Sequence, residues 1–383
     1  MAAADHISDY FSNGYAEARR KFREVVRAVG GEAVAHHQQA TGPDDATAEG
    51  AGLARADRGE PLSTDMAWFG PADARRLLLA QSGTHGVEGF CGSGIQIGWL
   101  CSGRHRKLPA DTAMLLIHAI NPHGFAWQRR VNEDNVDLNR NFISHGSGYP
   151  VNDGYERLRD SICPREWTPE VRAAADEALR AYGREHGAMA LQGAIMTGQY
   201  SHAEGVYYGG HQATWSQHTL AAVLKRFGGK VQEVGFIDLH TGLGPHGYGE
   251  IISNHEANRV ALARVREWFG DEVTTSEDGT SSSAPIQGDI NNGVEAALPG
   301  ANVTGVTLEY GTVPLEETLN AVRADNWLHI HGRLQSDQGR DIKTEIRAAF
   351  YPETEEWKRL VYERSVDVLE RTLAGLARRP VKG

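Results

Sequence analysis

His85 and Glu88 stand three residues apart in Gly83-Thr84-His85-Gly86-Val87-Glu88-Gly89, close enough within a glycine-rich turn to share one ion. Zinc takes neutral imidazole nitrogen and carboxylate oxygen at about 2 Å, and catalytic zinc sites built from two histidines and one glutamate leave a position for water. His240 could supply the third ligand, giving one Zn2+ per chain held by His85, Glu88 and His240. The spacing by itself is a weak signal, and His240 could equally be a strand-end histidine bonded to backbone. Asp238, two residues earlier on the same strand face, could orient an imidazole by a hydrogen bond or simply cap a turn. Glu309 ends an apolar run with no cation beside it in sequence, so its carboxylate is either paired structurally or used as a base. The segment from Arg129 to Phe142 is dense in guanidinium and amide groups that suit a carboxylate or an oxyanion, or else form a solvated loop.

These residues act together only if the fold gathers them. Short continuous apolar runs at 77–82, 113–120, 234–239 and 303–308 read as strands buried on both faces. Helical patterns separate them at 94–100, 169–186, 258–269 and 314–330, with a long final helix at 353–376. The first residues form an amphipathic helix over 5–30, and the small, polar stretch 41–61 reads as a surface loop. Strands divided by helical crossovers predict an α/β fold: a mixed, mostly parallel twisted sheet with helices on both faces. No repeat, low-complexity tract or linker-like composition shift divides the chain. A single domain over 1–383 is expected, with 143–230 as an insertion. In open α/β sheets, ligands bind beyond the carboxyl ends of the strands. His85 and Glu88, the Asn121-Pro122-His123-Gly124 turn with its arginines, His240 and Glu309 each follow or end one of the four strands.

Composition narrows the class further. A net charge of −11 argues against a nucleic-acid binder, which normally shows a basic face. No apolar run approaches the roughly 18 residues of a membrane span, and the first residues show neither the basic nor the apolar region of a signal peptide. Three cysteines cannot frame a disulfide scaffold and suit a reducing cytoplasm. Cys91, three residues past Glu88, has no second cysteine nearby and reads as a small buried hydrophobe.

Taken in order, these segments resemble the zinc carboxypeptidase family and its succinylglutamate desuccinylase and aspartoacylase deacylase relatives. The resemblance rests on His-x-x-Glu at His85 and Glu88, and on Asn-Pro-x-Gly at 121–124. It rests further on Arg-x-Asn at Arg130 to Asn132, Asp-Leu-Asn-Arg-Asn-Phe at 137–142, Asp-Leu-His at 238–240 and Glu-x-Gly at 309–311. It implies a zinc carboxypeptidase-like fold with His85, Glu88 and His240 as zinc ligands and Glu309 as the general base and acid. It implies Arg130 at the oxyanion, and Asn139 and Arg140 on a free carboxylate of a small-molecule substrate. The implied reaction is hydrolysis of an amide next to that carboxylate, as in an N-acyl amino acid deacylase or a carboxypeptidase. An esterase or lactonase on the same zinc site, and a catalytically silent ligand-binding relative, are the alternatives. Nearly a hundred residues separate Phe142 from Asp238, more than in compact deacylases. Tyr200 and Tyr208 within that stretch are candidates to line the substrate pocket, or else rings packed over turns. Tyr310 should face away from Glu309 across the strand, and His246 and His255 read as structural. Association between copies of the chain is left open.

Overall fold

A computed structural model describes residues 6–51, 53, 62–255 and 258–382. Its centre is one sheet of eight strands: β1 (Ala33–His37), β2 (Ser63–Phe69), β3 (Arg76–Ser82), β4 (Thr112–His118), β5 (Glu233–His246), β6 (Gly249–Ile252), β7 (Val273–Thr274) and β8 (Asn302–Gly311). They lie in the order β1-β2-β4-β3-β5-β8-β6-β7. The inner four, β4, β3, β5 and β8, run parallel. β2 pairs antiparallel with β4, and β6 antiparallel with β8, so the sheet is mixed and mostly parallel at its centre, as expected.

The apolar runs of the inner strands follow from burial on both faces. Side chains alternate across a strand, and Leu78 and Ala80 enter one core while Leu77 and Leu79 enter the other. The first core is covered by α1 (Tyr15–Ala28), α3 (Gly89–Cys101), α9 (Arg259–Phe269) and α13 (Glu355–Arg378), with Phe22, Trp99, Trp268 and Trp357 buried in it. The second is covered by α8 (Trp215–Phe227) and α10 (Ile290–Ala297), through Leu220, Leu224, Ile290 and Val294. A third cluster lies outside both, built by α5 (Asp153–Ile162), α6 (Pro169–His186), α7 (Ala188–Met196), α11 (Leu315–Ile330) and α12 (Asp337–Phe350). The stretch 143–230 therefore supplies helices α5 to α8 and adds no strand to the sheet.

Two local expectations need correction. The first helical stretch is broken: a 3-10 turn spans Ile7–Tyr10, and α1 starts only after Gly14, whose extended backbone (φ −158°) separates the two. Asp5 lies outside the described residues. The expected loop 41–61 carries a short helix, α2 (Asp45–Gly50), started by Asp44, whose side chain accepts the Thr47 N–H at 2.7 Å. Residues 52 and 54–61 of that loop lie outside the described residues. The short helix α4 (Pro122–Ala126) completes the set. Among the described residues no helix is long and apolar enough to cross a membrane.

Candidate active site

Parallel strands run toward the same side of a sheet, so the segment following β3 and the later residues of β5 and β8 are brought together without any long-range contact being specified. β3 ends at Ser82, and His85 and the 3-10 turn Gly86–Glu88 follow directly. β5 and β8 run in a register that places His240 beside Glu309. The turn after β3 is locked to the arginine segment: the N–H groups of Gly86 and Val87 donate to the carbonyls of Arg130 and Arg129, at 3.2 and 2.9 Å. Gly86 is required by this approach, since a Cβ there would lie 1.9 Å from the carbonyl carbon of Gly124. Asn121 stiffens the same turn by accepting the Gly124 N–H at 2.8 Å.

One ligand atom each from His85, Glu88 and His240 lies within 4.8 Å of the others, and all three side chains are buried. Glu88 meets His85 Nδ1 at 2.9 Å and His240 Nδ1 at 3.0 Å, and the two Nδ1 atoms lie 3.2 Å apart. The far nitrogens face carboxylates: His85 Nε2 is 3.1 Å from Asp137, and His240 Nε2 is 2.5 Å from Asp238. Asp238 is itself held by Thr84 Oγ1 at 2.7 Å and Gln81 Nε2 at 3.3 Å. If both Nε2 atoms carry the proton and donate it to these aspartates, each Nδ1 presents a bare lone pair toward its neighbour and toward Glu88. Such an arrangement repels itself unless a cation stands between. The charge balance agrees with a divalent ion. Four acidic side chains (Glu88, Asp137, Asp238 and Glu309) surround the centre, against two guanidiniums, Arg130 and Arg140. The donor set suits zinc.

Without an ion, protons and arginines carry that compensation. Burial opposes charge on Glu88, yet His85 and His240 hold its carboxyl far below the ordinary range. Burial likewise disfavours a charged His240, but Asp238 and then Glu88 hold its imidazole well above the ordinary value. Glu309 goes the other way. Burial first, then the charge of Glu88, raise its carboxyl to about 8, although His240, the Leu243 N–H and Arg130 pull against them. That N–H donates to Glu309 Oε1 at 3.0 Å.

Glu309, Arg130, Asn139 and Arg140 line one cavity with the three candidate ligands. Arg130 donates from Nε to Asp137 at 2.9 Å, reaches Glu88 at 3.4 Å, and lies over the Tyr207 ring at 5.1 Å. Its neighbour Arg129 turns away to Asp325 and Asn135. Arg140 donates from Nε and Nη2 to the Met196 carbonyl and from Nη1 to the Asn139 carbonyl. Guanidinium has five N–H donors, so two are left, one on each Nη. Asn139 Oδ1 accepts from the Ile290 N–H at 3.0 Å, which fixes its amide against α10.

The tyrosines are arranged differently from expectation. Tyr207, not Tyr208, lines the cavity. Tyr200 stands behind Arg140 and donates to its carbonyl at 2.6 Å, while Tyr208 accepts the Asp137 N–H through its own carbonyl. Tyr207 sits at φ +56°, a left-handed conformation that reverses the chain and sends neighbouring side chains where alternation would not place them. The other residue not singled out from sequence is Asp137, the partner of both His85 and Arg130. It opens the Asp-Leu-Asn-Arg-Asn-Phe string, but nothing in sequence shows an aspartate meeting a histidine 52 positions away. Tyr310 does face away from Glu309, packing in the first core with its hydroxyl on Ser365. His246 bonds the Thr312 carbonyl and His255 accepts the Gly305 N–H, both outside the cavity. Cys91 is buried and its thiol is raised well above the ordinary value, first by burial and then by Glu88 and Glu309.

Solved structures similar to this chain include carboxypeptidase A from Helicoverpa armigera, at 13% identity over 88% of this chain and 73% of that one, with a TM-score of 0.39. A murein-tripeptide amidase from Escherichia coli O157 is 17% identical over 72% of this chain and 87% of that one, with a TM-score of 0.32. A succinylglutamate desuccinylase / aspartoacylase family protein from Shewanella amazonensis is 17% identical over 79% and 73%, with a TM-score of 0.33. These are the kinds of protein that the sequence motifs resemble. No curated protein matches the sequence. A family model described as "Protein of unknown function (DUF2817)" matches residues 11–364, and the chain belongs to that family.

Proposed function

We propose that this protein is a zinc-dependent hydrolase that cleaves an amide bond adjacent to a free carboxylate, in an N-acyl amino acid or a short peptide. The observation that carries this reading is one cavity holding His85, Glu88 and His240 within 4.8 Å of one another, with Glu309, Arg130 and Arg140 in its walls. His85 and His240 through Nδ1, and Glu88 through its carboxylate, would hold the ion. When bound, zinc polarises a carbonyl and lowers the pKa of water to about 7.

The protein's own groups do the rest. Glu309 takes a proton from the attacking water and returns it to the leaving nitrogen, a task suited to a carboxyl raised toward neutrality. Arg130, braced by Asp137 and Tyr207, donates to the oxygen on which charge develops. Arg140 offers its two remaining donors as a fork for the substrate carboxylate, with the Asn139 amide beside it. The carboxylate anchor thereby sets which amide reaches Glu309.

The test combines metal analysis of the purified protein with a screen of N-acyl amino acids and dipeptides, each paired with its C-terminal amide. One zinc per chain and hydrolysis confined to free carboxylates are expected. Glu309→Gln should keep the zinc and lower kcat by about 10²- to 10⁴-fold. Absence of zinc with an unchanged Glu309→Gln variant would return the chain to the class of silent binding proteins. Full activity on the amides would remove Arg140 from its role.

A further inference from the structure

The catalytic cavity is small, about 50 Å³. At about 30 Å³ for each water in the liquid, that admits only the reacting group and its immediate neighbours. Ligand sites usually offer roughly 300 Å³ or more, so the bulk of a substrate must lie elsewhere. Among the larger hollows of the described residues, two exceed that size. One, about 330 Å³ between Asn152 and Gln287, shares no residue with the catalytic cavity. The other, about 350 Å³, is formed by α6, α7 and the start of α11, and shares Met196, Leu315 and Leu319 with it.

Leu179, Leu191 and Ile195 complete the floor of this second hollow. The charged residues around it are engaged with one another: Arg323 with Asp176 at 2.6 Å, and Arg180 with Glu316 at 3.4 Å. It therefore offers hydrocarbon and no uncompensated charge, and Leu315, 41% exposed, has an apolar partner to meet there. Met196 forms the sill between the two spaces, and an unbranched thioether side chain readily adjusts to let a chain pass. α11 follows β8, the strand carrying Glu309, and its Leu315 and Leu319 line the catalytic cavity together with Glu309.

We infer that the hollow between α6, α7 and α11 is an acyl-chain site, and that the substrate is an amino acid bearing a medium- or long-chain acyl group. This rests on the hydrolase reading above and specifies its substrate class. At about 30 Å³ per heavy atom the hollow holds on the order of ten carbons. The catalytic step is unchanged: the amide C–N bond breaks, water supplies hydroxyl to the acyl carbon and a proton to the nitrogen, and a fatty acid and a free amino acid leave.

The experiment uses the zinc-loaded full chain and two substrate series. One lengthens the acyl group of N-acylglycine from acetyl to decanoyl; the other keeps acetyl and enlarges the amino-acid side chain. In the first series kcat/KM should rise about fourfold for each methylene buried, with little gain in the second. Ala188→Trp, at an exposed position on the rim, and Leu191→Phe on the floor narrow the hollow and should flatten the first series. A flat first series, or a gain confined to the second, overturns the inference while leaving the hydrolase reading intact. If no N-acyl amino acid is cleaved, the hydrolase reading fails, and calorimetry with decanoate still decides the hollow. Binding weakened at least tenfold by Ala188→Trp supports an apolar-chain site; no binding, or binding indifferent to both variants, overturns it.

Discussion

His240 and His118 are both buried, on strands of one sheet separated only by β3, yet their imidazoles are shifted in opposite directions. His118 is held down to about 3, first by burial and then by the charge of Arg19. Its Nε2 meets the Ser93 hydroxyl at 2.8 Å and its ring stacks on Phe22 at 4.5 Å, and among the described residues no carboxylate is bonded to it. His240 is equally enclosed, but Asp238 and Glu88 outweigh burial and hold a positive charge in place. At fixed burial, the partners decide. The core histidine is kept neutral by burial and a nearby guanidinium. His240 instead is set among carboxylates that call for a cation, whether a proton or a metal ion.

The contrast breaks most visibly through the ring nitrogens themselves. His240→Phe should abolish zinc retention and reduce hydrolysis to background, because the remaining His85 and Glu88 leave the ion one short of the three protein ligands of a catalytic site. His118→Phe should leave zinc at one per chain, whatever it does to stability. Metal analysis of both proteins after dialysis checks this; zinc retained by His240→Phe would mean that the cluster is a charge network only.

A smaller effect separates their partners. Asp238→Asn keeps the shape but removes the charge behind His240, and should weaken zinc binding by about 10- to 100-fold. Ser93→Ala, behind His118, should leave zinc affinity unchanged and cost about 1 kcal/mol of stability. Competition with a chelator of known affinity, alongside urea unfolding, measures both. Equal effects of the two substitutions on zinc would show that Asp238 acts through general packing.

The same contrast explains what could be seen in the sequence. β3, β4, β5 and β8 are buried on both faces, so Leu77-Leu78-Leu79 or Ala113 to Ile117 needs no alternation to be recognised. β1 and β2 were not recognised: Ala33–His37 is a half-exposed edge, and Ser63–Phe69 mixes Ser63, Thr64 and Asp65 into a buried strand, with Asp65 paired to Arg19 of α1. The break at Gly14 and the cap at Asp44 leave no mark on the apolar periodicity around them. For the site, the meeting of His85, His240 and Glu309 follows from strand ends alone. Asp137 and Tyr207 do not, because an irregular segment with a left-handed residue carries no periodicity from which direction can be read. The hollow behind Met196 depends on how three helices from distant segments dock, which no local pattern encodes.

The smallest expected effect concerns the neutral histidine. An unfolded His118 takes up a proton near 6.5, but in the folded protein it does so only near 3. Between these values the unfolded chain binds more protons, so stability from this group is complete above pH 6.5 and is lost as pH falls toward 3. One proton corresponds to a slope of about 1.4 kcal/mol per pH unit within that window. His118→Gln keeps a polar group near Ser93 but never titrates, so its stability should fall less steeply on acidification, by up to that amount per unit. Urea midpoints at pH 7, 6, 5 and 4, with chelator present to remove zinc linkage, give the difference profile. His123, also held down to about 3, by burial and then Arg129, contributes equally to both proteins and cancels. Parallel profiles would mean that His118 is protonated in the folded core, and the two histidines would then differ only in position.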